Sequence, residues 1–440
     1  MHPAPSWTDE FAAETWQEHR STARRHLFIS SLGLMLGLGI WMTWSVLVLW
    51  LPRVGFHLST TELFGLTAMP ALTAALLRFF YALAASRMGA RHMLQISTLA
   101  LIFPAIGISF ISQRPDLPYE DLLAVAALTG LGGACFTSVM TSTSRQYPLS
   151  RQGRALGWTA GLGHLGIVLV QAFLPWVLLH PVLGVFSGSA SSARPHLWIQ
   201  NAGLIWLPGI FVVVVLAELG LRDQVQARVT RPILRATFAR FDNFLLSWLY
   251  LGSLGSLIGF ASVEALLTHT LFKNAHISTT YLGPLAAVIA IPVGGVLADR
   301  GRRGAPLAVL MFILTMIAVG GLFISLPVAD LDGSLPLYVA CFIFIFSSTG
   351  IAQGATLQMM AQVSEEQAPG HGSETLAVLL GLGGGAIATV GGFFIPGMLA
   401  SSMSMFNGTE LALFGFELFY ASCLVIAWWF WRLRDLQASH

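Results

Sequence analysis

The sequence predicts an all-α membrane protein of about twelve transmembrane helices, arranged as two pseudo-symmetric halves of six. Three observations predict it. Hydrophobic residues make up 55% of the 440-residue chain and charged residues only 10%, against roughly 25% charged in soluble domains. The apolar residues gather into runs that reach the length of a bilayer crossing, about 20 residues each. The arginines concentrate in every second connection between those runs, the pattern that an even number of crossings produces.

The first six runs cover residues 27–51, 62–86, 92–112, 118–144, 153–181 and 196–221, and the second six cover 243–268, 278–299, 304–327, 334–362, 373–400 and 410–432. This divides the chain into an N-terminal segment (1–26), a six-helix bundle (27–221), a linker (222–242), a second bundle (243–432) and a tail (433–440). Arg20, Arg24 and Arg25 precede the first run, Arg87 and Arg91 follow the second, and Arg145, Arg151 and Arg154 separate the fourth from the fifth. The linker carries Arg222, Arg228, Arg231, Arg235 and Arg240, and Arg300, Arg302, Arg303, Arg432 and Arg434 fall on the same side. The opposite loops hold acids such as Asp116, Glu120, Asp330 and Asp332. Positive charge stays inside, so both termini are expected in the cytoplasm of a multi-pass cell (inner) membrane protein. The polar stretch from Trp7 to Arg25 lacks the layout of a cleaved signal peptide and reads as a short cytoplasmic helix leading into the first span.

Composition also narrows function. A net charge of +2 gives no reason to expect a nucleic acid partner. Cys135, Cys341 and Cys423 each sit in an apolar stretch without metal-site spacing, so neither a disulfide framework nor a metal is expected. No phosphate-binding loop and no nucleophile–base pair is visible in the spans, so neither a cofactor nor an enzymatic activity is expected.

The halves repeat one another. Gly295-Val296-Leu297-Ala298-Asp299-Arg300 closes the eighth span, and Ala84-Ala85-Ser86-Arg87-Met88-Gly89-Ala90-Arg91 closes the second with a weaker form of the same pattern. Gly161-Leu162-Gly163 before Pro175 in the fifth span matches Gly381-Leu382-Gly383 before Pro396 in the eleventh. Halves related in this way place a substrate site between them near the bilayer midplane. Asp299, Arg300, Arg87 and Gly89 read as a conformational latch rather than as substrate ligands.

Arg78 is the most informative residue. It lies nine residues before Arg87, about 13 Å along a helix and too deep for easy snorkelling. A guanidinium at that depth marks a functional site by default, and its planar fork suits a planar oxyanion. The alternative is a structural Arg bridging helix carbonyls. The glycines of the fifth span, Gly163 among them, and of the eleventh, Gly383 among them, either let helix backbones approach or expose backbone to a small substrate. Gln171, Gln353 and Gln358 either line the path or bond a neighbouring helix, with the second favoured. Glu264 is expected as a solvated carboxylate near the outer end of the seventh span, with a proton relay as its alternative; His269 is expected at the surface. Glu365, Glu366, Gln367 and His371 are expected in a solvated turn.

The resemblance to a family now becomes specific. The stretches Trp41-Met42-Thr43-Trp44-Ser45-Val46, Gly55-Phe56-His57-Leu58-Ser59, Leu77-Arg78-Phe79-Phe80-Tyr81, Ser247-Trp248-Leu249-Tyr250, Pro292-Val293-Gly294-Gly295 and Gly391-Gly392-Phe393-Phe394-Ile395-Pro396 resemble the nitrate/nitrite porter family of the major facilitator superfamily. The resemblance implies the major facilitator fold and alternating-access transport of nitrate, nitrite or a similar small anion. It implies a site with one Arg from the second span, where Arg78 stands, and a second from the eighth. Phe136 falls on an aromatic of the fourth span and Tyr250 on a polar aromatic of the seventh. The second Arg is missing: Ile291 stands there, opposite Arg78 in the repeat. His164 and Thr159 replace asparagines and Leu254 replaces an aromatic. A protonated His164 would restore a positive charge; its alternative is a neutral ring bonded between packed helices. Two further functions stay open: an exporter or proton symporter of another small anion, and an anion-binding sensor that does not transport. A monomer is expected, with the bilayer, the anion and protons as its partners.

Overall fold

The computed structural model describes residues 12–184, 190, 196–222, 229–272, 279–301, 303–327, 333–381 and 384–438. Gly383, Arg228, Arg302, Asp330 and Asp332 lie outside the described residues. Among those described, twelve helices are long and apolar enough to cross a membrane. They are α1 (Glu18–Leu47), α2 (Thr60–Ala85), α3 (Ala90–Ile111), α4 (Tyr119–Ser144), α5 (Leu149–Leu178) and α6 (Asn201–Gly220), then α7 (Phe241–Leu271), α8 (Leu282–Asp299), α9 (Gly304–Ser325), α10 (Leu335–Gln367), α11 (Gly372–Phe406) and α12 (Glu410–Arg432).

The ends of these helices follow local chemistry. Ser59 and Glu62 form a reciprocal capping box at the start of α2, satisfying donors that have no partner inside the helix. Gly89, at φ 77°, turns the chain sharply from α2 into α3 in a conformation other residues avoid. The first helix runs unbroken from Ala12 to Leu47, so the N-terminal segment and the first span are one rod. Its Trp16 ring packs 5.1 Å from Tyr147 and beneath Arg151, which anchors the segment on the α4–α5 connection.

Two expectations about connections change. The linker holds a helix of its own, Arg231–Phe238; Asn243 ties its end to α10 by donating to the Thr237 carbonyl and to Gln367 Oε1. Helix α10 continues to Gln367, so Glu365 and Glu366 stand on its last turn rather than in a loop. The Gln362 amide donates to the Glu366 carboxylate at 2.7 Å, one turn on, and that bond supports the extra length.

Exposed Phe, Leu, Ile and Trp side chains lie along most of the helices, including Phe80, Phe103, Phe173, Phe211, Phe344 and Trp429. A hydrocarbon solvent accepts such surface where water would not. The interior is different. Helix α7 is buried from Ser253 through Thr268, and Phe260 packs edge-on against Phe342 of α10 and Phe416 of α12. The first six helices meet the last six chiefly where α5 crosses α8 and where α2 crosses α11. In the repeat, these two crossings are counterparts.

Candidate functional site

At the α2–α11 crossing, Arg78 is fully buried. Its Nη1 donates to the Gly385 carbonyl at 2.9 Å, and its guanidinium carbon sits 4.9 Å from the centre of the Phe136 ring. Helix α11 is described in two pieces here, Gly372–Gly381 and Gly384–Phe406. Thr137 of α4 donates to the Leu380 carbonyl at 3.1 Å. Side chains of the first six helices therefore hold the Leu380 and Gly385 carbonyls of α11. Such carbonyls need partners in a membrane interior.

The remaining arginine donors are unused. Arg78 Nε and Nη2 have no hydrogen-bond partner, although both are buried. These two atoms form the side-on edge of the guanidinium, the edge that binds a planar oxyanion through two parallel hydrogen bonds. Tyr250 and Cys135 stand close enough to act on Arg78 electrostatically. The Tyr250 hydroxyl is fully buried and has no well-formed hydrogen bond, and it lies beside Gln353 of α10. Both amide atoms of Gln353 are likewise buried and unpartnered. A π-helical turn, Leu251–Gly255, follows Tyr250 directly; such turns interrupt the regular ladder and occur frequently at functional sites. Donors left empty together in a buried site cost free energy unless a ligand fills them.

Helices α2, α4 and α7 thus bring Arg78, Phe136 and Tyr250 together. Gln353 adjoins them, and the remaining residues singled out in the sequence bond or pack locally. Gly163 packs against Leu34 of α1, where a Cβ would stand 2.5 Å from a leucine methyl. Thr159 donates to the Ala155 carbonyl of its own helix at 2.9 Å. His164 Nδ1 bonds the Ala160 carbonyl at 2.8 Å, so the proton is on Nδ1; Nε2 has no partner. Gln171 bonds the neighbouring α7 through the Ala261 carbonyl, and Gln358 bonds Gln362 of its own helix.

Glu264 departs from its expected place. It is buried rather than solvated, with Oε2 unpartnered, close to Tyr338 of α10. Its nearness to the end of the span suggested solvent, but α7 runs through the middle of the bundle and is enclosed at that level too. His269, five residues on, is exposed as expected.

At the α5–α8 crossing the packing is close. A Cβ on Gly157 would stand 3.0 Å from the Ile291 carbonyl, and one on Gly161 would stand 2.8 Å from Pro292. Ile291 is fully buried there. At the end of the crossing, Asp299 accepts from the backbone N–H of Gly153 at 3.1 Å and of Arg154 at 2.7 Å. Its carboxylate therefore caps the first turn of α5 from the other half, where negative charge is favoured. Arg300 and Arg87 are exposed.

Gln353 takes the less favoured of its two sequence readings: it lies at the site rather than bonding a neighbouring helix. The signal was present: Thr349, Gln353 and Thr356 recur at intervals of four and three on an otherwise apolar helix, and all three are fully buried. One polar stripe on a buried helix marks the face turned to a polar cavity or partner.

Comparison with known proteins agrees with this architecture. Residues 29–388 match the Major Facilitator Superfamily. The nitrate/nitrite transporter NarU of Escherichia coli is 33% identical, over 96% of this chain and 94% of its own length. The probable nitrate/nitrite antiporter NarK2 of Thermus thermophilus is 31% identical, over 94% of both chains. Among solved structures, the proton:xylose symporter XylE superposes with a TM-score of 0.66 at 14% identity, covering 94% of this chain and 96% of its own, which speaks to the fold alone. With twelve spans, two counterpart crossings and relatives similar over nearly their whole length, this chain belongs to the nitrate/nitrite porter family of the major facilitator superfamily.

Proposed function

We propose that this multi-pass membrane protein carries nitrate or nitrite across the cell (inner) membrane by alternating access, with both termini in the cytoplasm. It acts as a transporter and not as an enzyme. The observation that carries the reading is the unpartnered Nε–Nη2 edge of buried Arg78, near the hydroxyl-bearing Tyr250 between the two halves. A small planar monovalent anion answers both the charge and the geometry of that edge. One anion on one guanidinium is electrically balanced, so loss of the second family Arg at Ile291 is compatible with transport of a single charge.

The gating parts follow from the crossings. The Asp299 cap on α5 holds the halves together at the end of the α5–α8 crossing. Arg78 and Thr137 hold α11 against the first half. Anion binding at Arg78 adds contacts at the α2–α11 crossing and favours whichever state makes those contacts best.

A specific observation favours coupling to protons over strict anion exchange. Glu264 is a buried carboxylate with an unpartnered oxygen, and the tyrosine beside it carries no charge that would balance it. Ionisable groups in such places mark proton relays in transporters. The test is uptake of isotopically labelled nitrate by proteoliposomes. Uptake that responds to an imposed proton gradient, with nothing inside to exchange, supports symport; uptake only against internal nitrite supports exchange. No uptake under either condition would overturn the reading.

A further inference from the structure

We infer that Gln353 is a substrate-binding residue, the neutral donor that completes the anion's coordination where the second guanidinium is missing. The inference rests on the nitrate/nitrite reading and names a further part of the same site.

Three observations carry it. Gln353 is fully buried in α10, and both its Nε2 and its Oε1 lack partners. A primary amide without hydrogen bonds in a membrane interior is costly, and helix-packing glutamines normally find a neighbouring carbonyl. Gln171 and Gln358 of this chain do find partners: Gln171 bonds the Ala261 carbonyl at 2.8 Å, and Gln358 bonds Gln362 at 3.0 Å. Gln353 is the exception among these three, and it stands beside the Tyr250 hydroxyl next to Arg78.

The chemistry closes around a trigonal oxyanion. The Arg78 side-on edge takes two of its oxygens. The Tyr250 hydroxyl and the Gln353 N–H₂ are then the unpartnered neutral donors near Arg78 left to take the third. The Oε1 of Gln353 is an acceptor, and the Tyr250 O–H can donate to it when the site is empty. Filling the site turns the amide from a neighbour of Tyr250 into a ligand of the anion. A neutral donor also discriminates. It adds a directed hydrogen bond without a second positive charge, so a divalent anion gains little and a monovalent planar anion gains most.

The experiment uses the full chain in proteoliposomes and in detergent, with nitrate, nitrite and sulfate as probes. Gln353→Ala is expected to raise the KM for nitrate by about tenfold or more, the usual effect of one lost hydrogen bond to a charged group, with a smaller change in Vmax. Its melting temperature without nitrate should match or exceed that of the parent, because an unsatisfied amide has gone. Nitrate should stabilise the variant less than the parent. Gln353→Glu should abolish nitrate uptake by placing a carboxylate against the anion. An unchanged KM in Gln353→Ala, with Arg78→Ala inactive, would overturn the role of Gln353 and leave the anion site standing. A fall in melting temperature with nitrate stabilisation intact would show a packing residue and overturn it equally. Nitrate uptake that survives in Arg78→Ala, or parent protein that carries neither nitrate nor nitrite, would sink the reading beneath it and the assignment as well.

Discussion

The α2–α11 and α5–α8 crossings are copies of one arrangement, and they differ in one side chain and its consequences. Where Arg78 stands, its Nη1 donates to the Gly385 carbonyl of α11, and its Nε and Nη2 are buried without a hydrogen-bond partner among the described residues. Where Ile291 stands, the glycines of the partner helix α5 let the two backbones meet. One crossing buries a cation with unpartnered donors, and the other buries an isoleucine. The chemical asymmetry between the crossings thus rests on one buried cation.

The largest expected effect comes from removing that cation. Arg78→Ala should lower nitrate uptake by about a hundredfold or more, since the loss of a charged, bidentate ligand costs about 3 kcal/mol or more. The variant should still insert in the membrane. Uptake by reconstituted protein checks this, and residual transport above a tenth of the parent would make the two crossings equivalent.

Gly385→Ala comes next. A Cβ there would meet the Leu380 carbonyl and stand 2.9 Å from Arg78 Nη1, so the guanidinium loses its seat. Uptake should fall by roughly tenfold while expression persists, because strain of about 1–3 kcal/mol is local. An alanine as active as glycine would show that the α11 carbonyl does not position Arg78.

Ile291→Arg converts the closed crossing towards the open one. The added guanidinium enters close packing with no partner, so the melting temperature should drop without anion. Nitrate should then raise it more than it raises that of the parent. A variant that is unstable with and without nitrate would mean that the pocket has been rebuilt around isoleucine.

How much of this was legible beforehand depends on what the bilayer encodes in sequence. Twelve crossings were readable because hydrocarbon thickness sets run length and arginine marks the cytoplasmic side. Arg78 was readable because a charge in an apolar run has few explanations. The radial position of a residue around its helix was not. Outward faces in lipid are as apolar as inward ones, so periodicity that would orient a helix in water is weak here. That is why Glu264 was read as solvated and Gln353 as a packing residue, although both are buried and incompletely bonded.

Smaller effects sharpen the comparison at its edges. Asp299→Asn keeps the size of the α5 cap but removes its charge, worth about 1 kcal/mol at a helix N-terminus, and replaces one of its two accepting oxygens with a donor. Transport should slow by a few-fold, with KM nearly unchanged; a shift in KM instead would bring Asp299 into binding. His164→Asn should change nitrate uptake by less than about twofold between pH 5 and 8, because the imidazole bonds its own helix. A flattened pH profile would bring α5 into the coupling path.

The claim beneath all of this is that the side-on edge of Arg78, and not merely its positive charge, holds the anion. Calorimetric titration of nitrate into purified parent and Arg78→Lys protein tests it directly, since lysine keeps the charge and loses the planar fork. The account predicts that affinity falls by about tenfold or more in the lysine variant. Equal affinity in the two proteins would contradict it.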